Sequence, residues 1–225
     1  MSEVNVYPVS DKVRQAALIN DEQYEAMYQA SITDPESFWA EQAQRIQWQK
    51  PFSRVKDVSL DKSDLHIRWF DDGILNVTES CLDRHLATRG DETAITWEPD
   101  SETHDHRNIS YSELATEVNR LANGLKSLGV QKGDVVTLYM PMVPEATMAM
   151  LACARVGAVH SVVFGGFSPE ALAGRIEGAD SKVVITADEG LRAGKKVALK
   201  RTVLQQPVIK LVFYLLDIQQ FVLHW

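Results

Sequence analysis

Between Asp134 and Asp188 the chain reads DVVTLYMPMVPEATMAMLACARVGAVHSVVFGGFSPEALAGRIEGADSKVVITAD, and no other stretch limits its fold as much. Val135–Met140 is a short apolar run of β-formers closed by Pro141. Pro144 stands where a helix begins, and the helix formers of Glu145–Val156 run until Gly157. Val159–Phe164 is a second strand, Gly165–Gly166 a turn, and Ser168-Pro169 the cap and first position of another helix. Lys182–Thr186 is a third strand. Strands this apolar, alternating with helices of about three turns, predict a parallel sheet covered on both sides, a partial doubly wound α/β fold. In such sheets ligands bind outside the carboxyl ends of the strands. Met140–Pro144, Phe164–Ser168 and Ala187–Lys195 therefore share one rim.

The rest of the chain reads as scaffold. Asn20 to Ile46 gives two short helices, the first with Tyr24, Met27 and Tyr28 on one face, the second opened by Asp34-Pro35. Trp48, Phe52 and Trp69 follow in an aperiodic stretch and read as packing anchors. Leu75–Leu86 reads as a helix with Leu75, Cys81, Leu82 and Leu86 inward. Glu92–Trp97 and Arg107–Ile109 form a hairpin in outline, and the polar connection Glu98–His106, including His104-Asp105-His106, reads as a solvated loop. Ser110-Tyr111-Ser112-Glu113 is a capping box. It opens a helix with Leu114, Val118, Leu121, Ala122, Leu125 and Leu128 on one stripe, stopped by Gly129.

Charge and cysteines narrow the function. A formal net charge of −8 over 225 residues argues against general binding to nucleic acid or to anionic membranes, so an anionic ligand needs a local basic cluster. The two cysteines, Cys81 and Cys153, lie far apart without metal-ligand spacing, which fits a reducing compartment. The N-terminal residues show no apolar core of a secretory signal, and a cytoplasmic location is expected. Lys210 and Asp217 interrupt the apolar tail short of the roughly 18 residues that a membrane span needs.

Two turns on the rim suit an anion. Phe164-Gly165-Gly166-Phe167-Ser168-Pro169 joins a strand to a capped helix, where glycine serves either a tight turn or close ligand approach. Arg192-Ala193-Gly194-Lys195 follows the third strand, with an arginine that can fork onto phosphate oxygens, but taken alone it reads sooner as a solvated basic helix end. Placed together at consecutive strand ends, they point to a phosphorylated ligand. Neither a G-x-G-x-x-G fingerprint nor a Walker loop occurs. Cys153, among alanines with no charged activator beside it, reads as a small buried hydrophobe rather than as a nucleophile served by His160.

Tyr139–Ala146, Met150–Ile176 and Thr186–Lys196 (TADEGLRAGKK) closely resemble the acetyl-CoA synthetase group of adenylate-forming acyl-CoA ligases. Gln23–Gln42 resembles the N-terminal extension shared by acetyl- and propionyl-CoA synthetases, and the similarity runs from about Gln23 to Thr202. The resemblance implies an extension over residues 1–74, the first part of an AMP-binding domain over 75–202, and a divergent tail over 203–225. It also implies a reaction in which acetate and ATP, with magnesium, give acetyl-AMP and diphosphate before the acyl group passes to CoA. Position by position, Arg192, Ala193, Gly194 and Lys195 match the family's CoA-contacting R-A-G-R segment, with lysine in place of the last arginine. Phe164, Gly165 and Gly166 match the turn beside the adenosine end of CoA. The family's T-S-G-S-T-G-x-P-K-G phosphate loop and its catalytic-lysine domain have no counterpart in these residues. The expectation is an N-terminal portion of the enzyme, inactive alone, with a truncated or frameshifted reading frame as one source of the tail. A CoA-binding remnant and one subunit of a split acyl-CoA ligase are the other readings.

Overall fold

The computed structural model describes residues 7–100 and 106–205, and the backbone of 212–214. These residues form two compact units that meet in sequence at Ile74 and Leu75.

The first unit holds three helices and a hairpin. Helix α1 (Asp11–Ala16) is capped by Ser10. Helix α2 (Asp21–Thr33) starts in a reciprocal capping box between Asn20 and Gln23. Helix α3 (Pro35–Ala43) begins at Asp34, whose carboxylate accepts from the Ser37 amide. The two helices expected from Asn20 onward are thus present, but Tyr24 and Tyr28 stack on each other and stay exposed. Strands β1 (Lys56–Ser59) and β2 (His66–Trp69) pair antiparallel. Trp48, Phe52 and Phe70 make the aromatic anchor of the unit, with ring centroids 4.7 to 5.6 Å apart.

In the second unit the segment read as a helix over 75–86 is different in detail. A wide π turn, Glu79–Asp83, runs into helix α4 (Arg84–Arg89). The extra residue in that turn shifts the helical phase, so Leu82 is fully buried while Cys81, expected inward, faces solvent. Arg155 clamps the π turn by donating from both terminal nitrogens to the Asp83 carboxylate, at 2.9 and 2.7 Å. Strands β3 (Thr93–Trp97) and β4 (Arg107–Ser110) form the expected hairpin. Helix α5 (Tyr111–Ser127) opens on the Ser110–Glu113 capping box and closes before Gly129, at φ 81°.

The three expected strands form a parallel sheet, which a fourth strand joins. Strand β5 (Val135–Tyr139) leads through helix α6 (Pro144–Val156) to strand β6 (Val159–Val162). Helix α7 (Pro169–Gly178) then leads to strand β7 (Val183–Thr186). Strands β8 (Gly190–Arg192) and β9 (Lys195–Val197), helix α8 (Leu199–Leu204) and strand β10 (Val212–Tyr214) follow. The parallel order is β10-β7-β5-β6. Side-chain alternation divides the core: Val136, Leu138, Val183 and Ile185 pack with α5 and α6, whereas Tyr139 and Val184 pack with α7 and α8. Both faces are covered at β5 and β7. At β6 they are not, because Val159 and Val162 stay exposed on an edge strand. Among the described residues no helix is long and apolar enough to cross a membrane.

Candidate functional site

Strand β5 is followed by α6 over one face of the sheet, and its neighbour β7 by α8 over the other. Adjacent strands whose connections diverge in this way open a crevice at their carboxyl ends. Met140–Pro144 and the segment after Thr186 lie at that switch point, and the turn after β6 reaches beside it, since a Cβ added to Gly165 would sit 3.4 Å from the Met140 carbonyl oxygen.

Two side-chain bonds fix the rim from below. The fully buried Thr186 hydroxyl donates to the Tyr139 carbonyl at 2.8 Å, holding the ends of β7 and β5 together. The buried Tyr139 hydroxyl lies 3.2 Å from the carbonyl oxygens of both Gly165 and Phe167, so one phenolic proton ties down the glycine turn. Burial pushes that phenol above its ordinary pKa and keeps it a donor.

The basic segment is neither a helix end nor an irregular loop. Arg192 and Lys195 face each other as the last pair of the β8–β9 ladder, and Ala193-Gly194 makes the two-residue turn between them. Both turn residues are left-handed, at φ 48° and 72°, as the hairpin twist demands. The hairpin carries Arg192 to the glycine turn. Its guanidinium lies 4.6 Å over the Phe164 ring. A Cβ on Gly166 would come within 3.0 Å of Arg192 Nη1 and 2.6 Å of Phe164 Cε1, so only glycine fits this stack undisturbed. Phe164 in turn meets Phe167 edge to face, and Arg175 lies 4.4 Å over Phe167.

The expected site residues thus come together as one surface. Phe164 and Gly166 touch Arg192, Gly165 lies against Leu199 and the Met140 carbonyl, and Ala193 and Gly194 shape the turn that presents Arg192 and Lys195. Neighbouring cations are neutralised, Lys196 by Glu189 and Lys200 by Asp188. Among the described residues no carboxylate pairs with Arg192 or Lys195. An exposed fork on an aromatic face, next to the Ser168-capped N-terminus of α7, suits a phosphate joined to a planar ring. A cavity of about 410 Å³ lies between the end of β7 and α8, lined by Asp188, Ala198, Lys200, Arg201, Leu204 and Gln205.

Sequence spacing missed several members. Trp97 Nε1 donates to the Met142 carbonyl at 2.8 Å, and Arg107 pairs with the buried Glu145 at 3.1 Å, so the β3–β4 hairpin is bolted to the rim. Asp100 accepts from the Gly194 amide at 2.9 Å across 94 residues. No periodicity or motif links positions that far apart. His104 and Asp105 lie outside the described residues. Cys153 is fully buried, and burial pushes its thiol up to about 12, which agrees with its reading as an inert core residue. Among the described residues no three of His, Cys, Asp or Glu converge on one point.

A model described as AMP-binding enzyme matches residues 82–222, and one described as acetyl-coenzyme A synthetase N-terminus matches residues 24–81. An acetyl-coenzyme A synthetase of Novosphingobium aromaticivorans is 59% identical over 198 residues, covering 88% of this chain and 30% of that protein. One from Vibrio vulnificus is 56% identical over 215 residues, covering 94% of this chain and 33% of its own length. Among solved structures, an acetoacetyl-CoA synthetase from Streptomyces lividans superposes with a TM-score of 0.76 at 28% identity, over 85% of this chain and 30% of that one. The chain therefore spans about a third of the length of the relatives it matches.

Proposed function

Since this chain belongs to the AMP-binding enzyme family, with the acetyl-coenzyme A synthetase N-terminal segment ahead of that region, we propose that it carries part of the CoA site of an acetate–CoA ligase and does not form acetyl-AMP by itself. Residues 1–74 are the extension of that enzyme type, 75–202 the first part of its AMP-binding domain, and 203–225 a divergent tail. The location is cytoplasmic, and the partners are small molecules: CoA here, with acetate and ATP handled by parts of the family's enzyme that lie outside these residues.

One observation carries the reading. Arg192, at the end of β8, stacks on Phe164, at the end of β6, over a glycine turn where a side chain would intrude. A guanidinium resting over an aromatic ring, which accepts no N–H hydrogen bond of ordinary strength, keeps donors free for phosphate oxygens. The phenyl and glycine surfaces offer an apolar bed to the attached base. Lys195, the ladder partner of Arg192, adds a second cation but no fork.

Adenylation asks for more than this. The carboxylate has to be placed in line with the α-phosphate, and the charge developing on phosphoryl oxygens has to be stabilised. The glycine pair has no adjoining lysine or hydroxyl arranged as a phosphate loop. Acetate-dependent exchange of labelled diphosphate into ATP isolates that half-reaction. With the purified chain we expect exchange no faster than a protein-free blank. Exchange that survives repurification would overturn the proposal.

A further inference from the structure

We propose that Asp100 is a positioning residue for the Arg192 turn: its carboxylate holds the Gly194 amide, and so keeps the β8–β9 hairpin in the conformation that lays Arg192 on Phe164. The proposal rests on the reading of this rim as a CoA site and extends it to the β3–β4 connection, which the sequence reads as a solvated loop.

The hairpin needs outside support for a physical reason. It is short, three residues to a strand, and two-stranded ribbons of that size are marginal on their own. Its turn places Ala193 at φ 48°, a left-handed conformation that the Cβ of an L-residue disfavours. In a two-residue turn the flanking pair closes the ladder, and the amides of the two turn residues have no ladder partner. The Gly194 amide finds one in Asp100 Oδ2, at 2.9 Å. A charged acceptor makes this bond stronger than a neutral one.

Asp100 is itself anchored. Three residues before it, Trp97 donates its indole N–H to the Met142 carbonyl on the rim, and Arg107 at the far side of the connection pairs with Glu145 at the start of α6. The connection thus begins and ends on the same rim that the hairpin overlooks. A carboxylate carried on a tethered segment fixes the turn, where a mobile one would not. Asp100 meets the turn at the Gly194 amide, and among the described residues no carboxylate pairs with the guanidinium of Arg192.

The test uses the full chain labelled with 15N-glycine. Asp100→Ala removes the acceptor, and Asp100→Asn keeps an acceptor of the same shape without charge. The side chain is exposed, so both variants are expected to melt with the parent protein. In Asp100→Ala the Gly194 amide is expected to exchange about fivefold faster, with CoA affinity in calorimetry lower by about the same factor. Asp100→Asn is expected to recover most of both. Unchanged Gly194 exchange in Asp100→Ala would overturn the proposal whether or not CoA binds. Faster exchange with an unchanged CoA isotherm would remove the positioning role and leave the CoA site standing. A parent chain that gives no CoA signal at all would overturn the site and this role together.

Discussion

Replacing Gly166 by alanine separates the architecture of the site from the stability of the fold. The added Cβ would lie 2.6 Å from Phe164 Cε1 and 3.0 Å from Arg192 Nη1. Ordinary carbon contacts begin near about 3.5 Å, so the phenyl ring has to retreat by about 1 Å. It is free to do so, because Phe164 is 47% exposed. The retreat breaks the stack with Arg192, a contact worth about 0.5–1 kcal/mol at an exposed position. Removing a glycine from the unfolded chain returns a similar amount, about 0.4–1 kcal/mol. The two effects cancel, and Tm is expected to stay within about 2 °C of the parent. CoA affinity is expected to fall about tenfold, since the fork and the ring no longer present one surface. Gly190→Ala is the control. There the new Cβ meets Pro141 Cβ at 2.6 Å and Leu199 Cδ1 at 3.6 Å. The proline ring has no room to swing, so overpacking costs about 1–3 kcal/mol. Calorimetry of both unfolding and CoA binding reads the contrast. If Gly166→Ala lowered Tm as much as Gly190→Ala, or left the CoA isotherm intact, the reasoning about this turn would be wrong.

Tyr139→Phe removes one shared proton from beneath the glycine turn, and urea unfolding is expected to show a loss of about 1 kcal/mol. Asp83→Ala leaves Arg155 without its bidentate partner against the π turn, and the same assay is expected to show about 2 kcal/mol. The hydrogen bonds from Ser110 hold Glu113 below its usual carboxylate range, and the Lys182 ammonium beside Asp134 does the same there. Groups depressed in the folded state stabilise it above their unfolded pKa values, so stability is expected to fall as pH drops below about 4.5. Glu113→Gln should flatten that decline, as followed by Tm against pH. In a thiol titration at pH 8, native protein is expected to react at Cys81 alone and denatured protein at both cysteines, because the Cys153 thiol is buried and shifted to about 12.

What could be read from the sequence divides along a physical line. Strands β5 and β7, helices α5, α6 and α7 and their caps were legible because each is signalled locally, by Pro144, by Ser168-Pro169 or by the Ser110–Glu113 box. The rim was legible too, since the rule for parallel sheets places strand ends together without any knowledge of contacts. The phase of the segment around Cys81 was not, because a π turn inserts a residue that helical spacing does not foresee. Nor was the β8–β9 hairpin, whose Ala193-Gly194 turn is a weaker signal than Asn-Gly would be. Trp97, Asp100 and Arg107 entered the site only through tertiary contacts, and no spacing rule links them to it.

A calorimetric titration of CoA into the parent chain and into Arg192→Ala bears most directly on the assignment of the rim. Weak saturable binding is expected for the parent, since one exposed fork and a glycine turn supply only part of the contacts that such a ligand needs. Arg192→Ala is expected to bind nothing measurable while melting as the parent does. Equal isotherms for the two proteins, or no heat from either, would contradict the assignment of this rim to CoA.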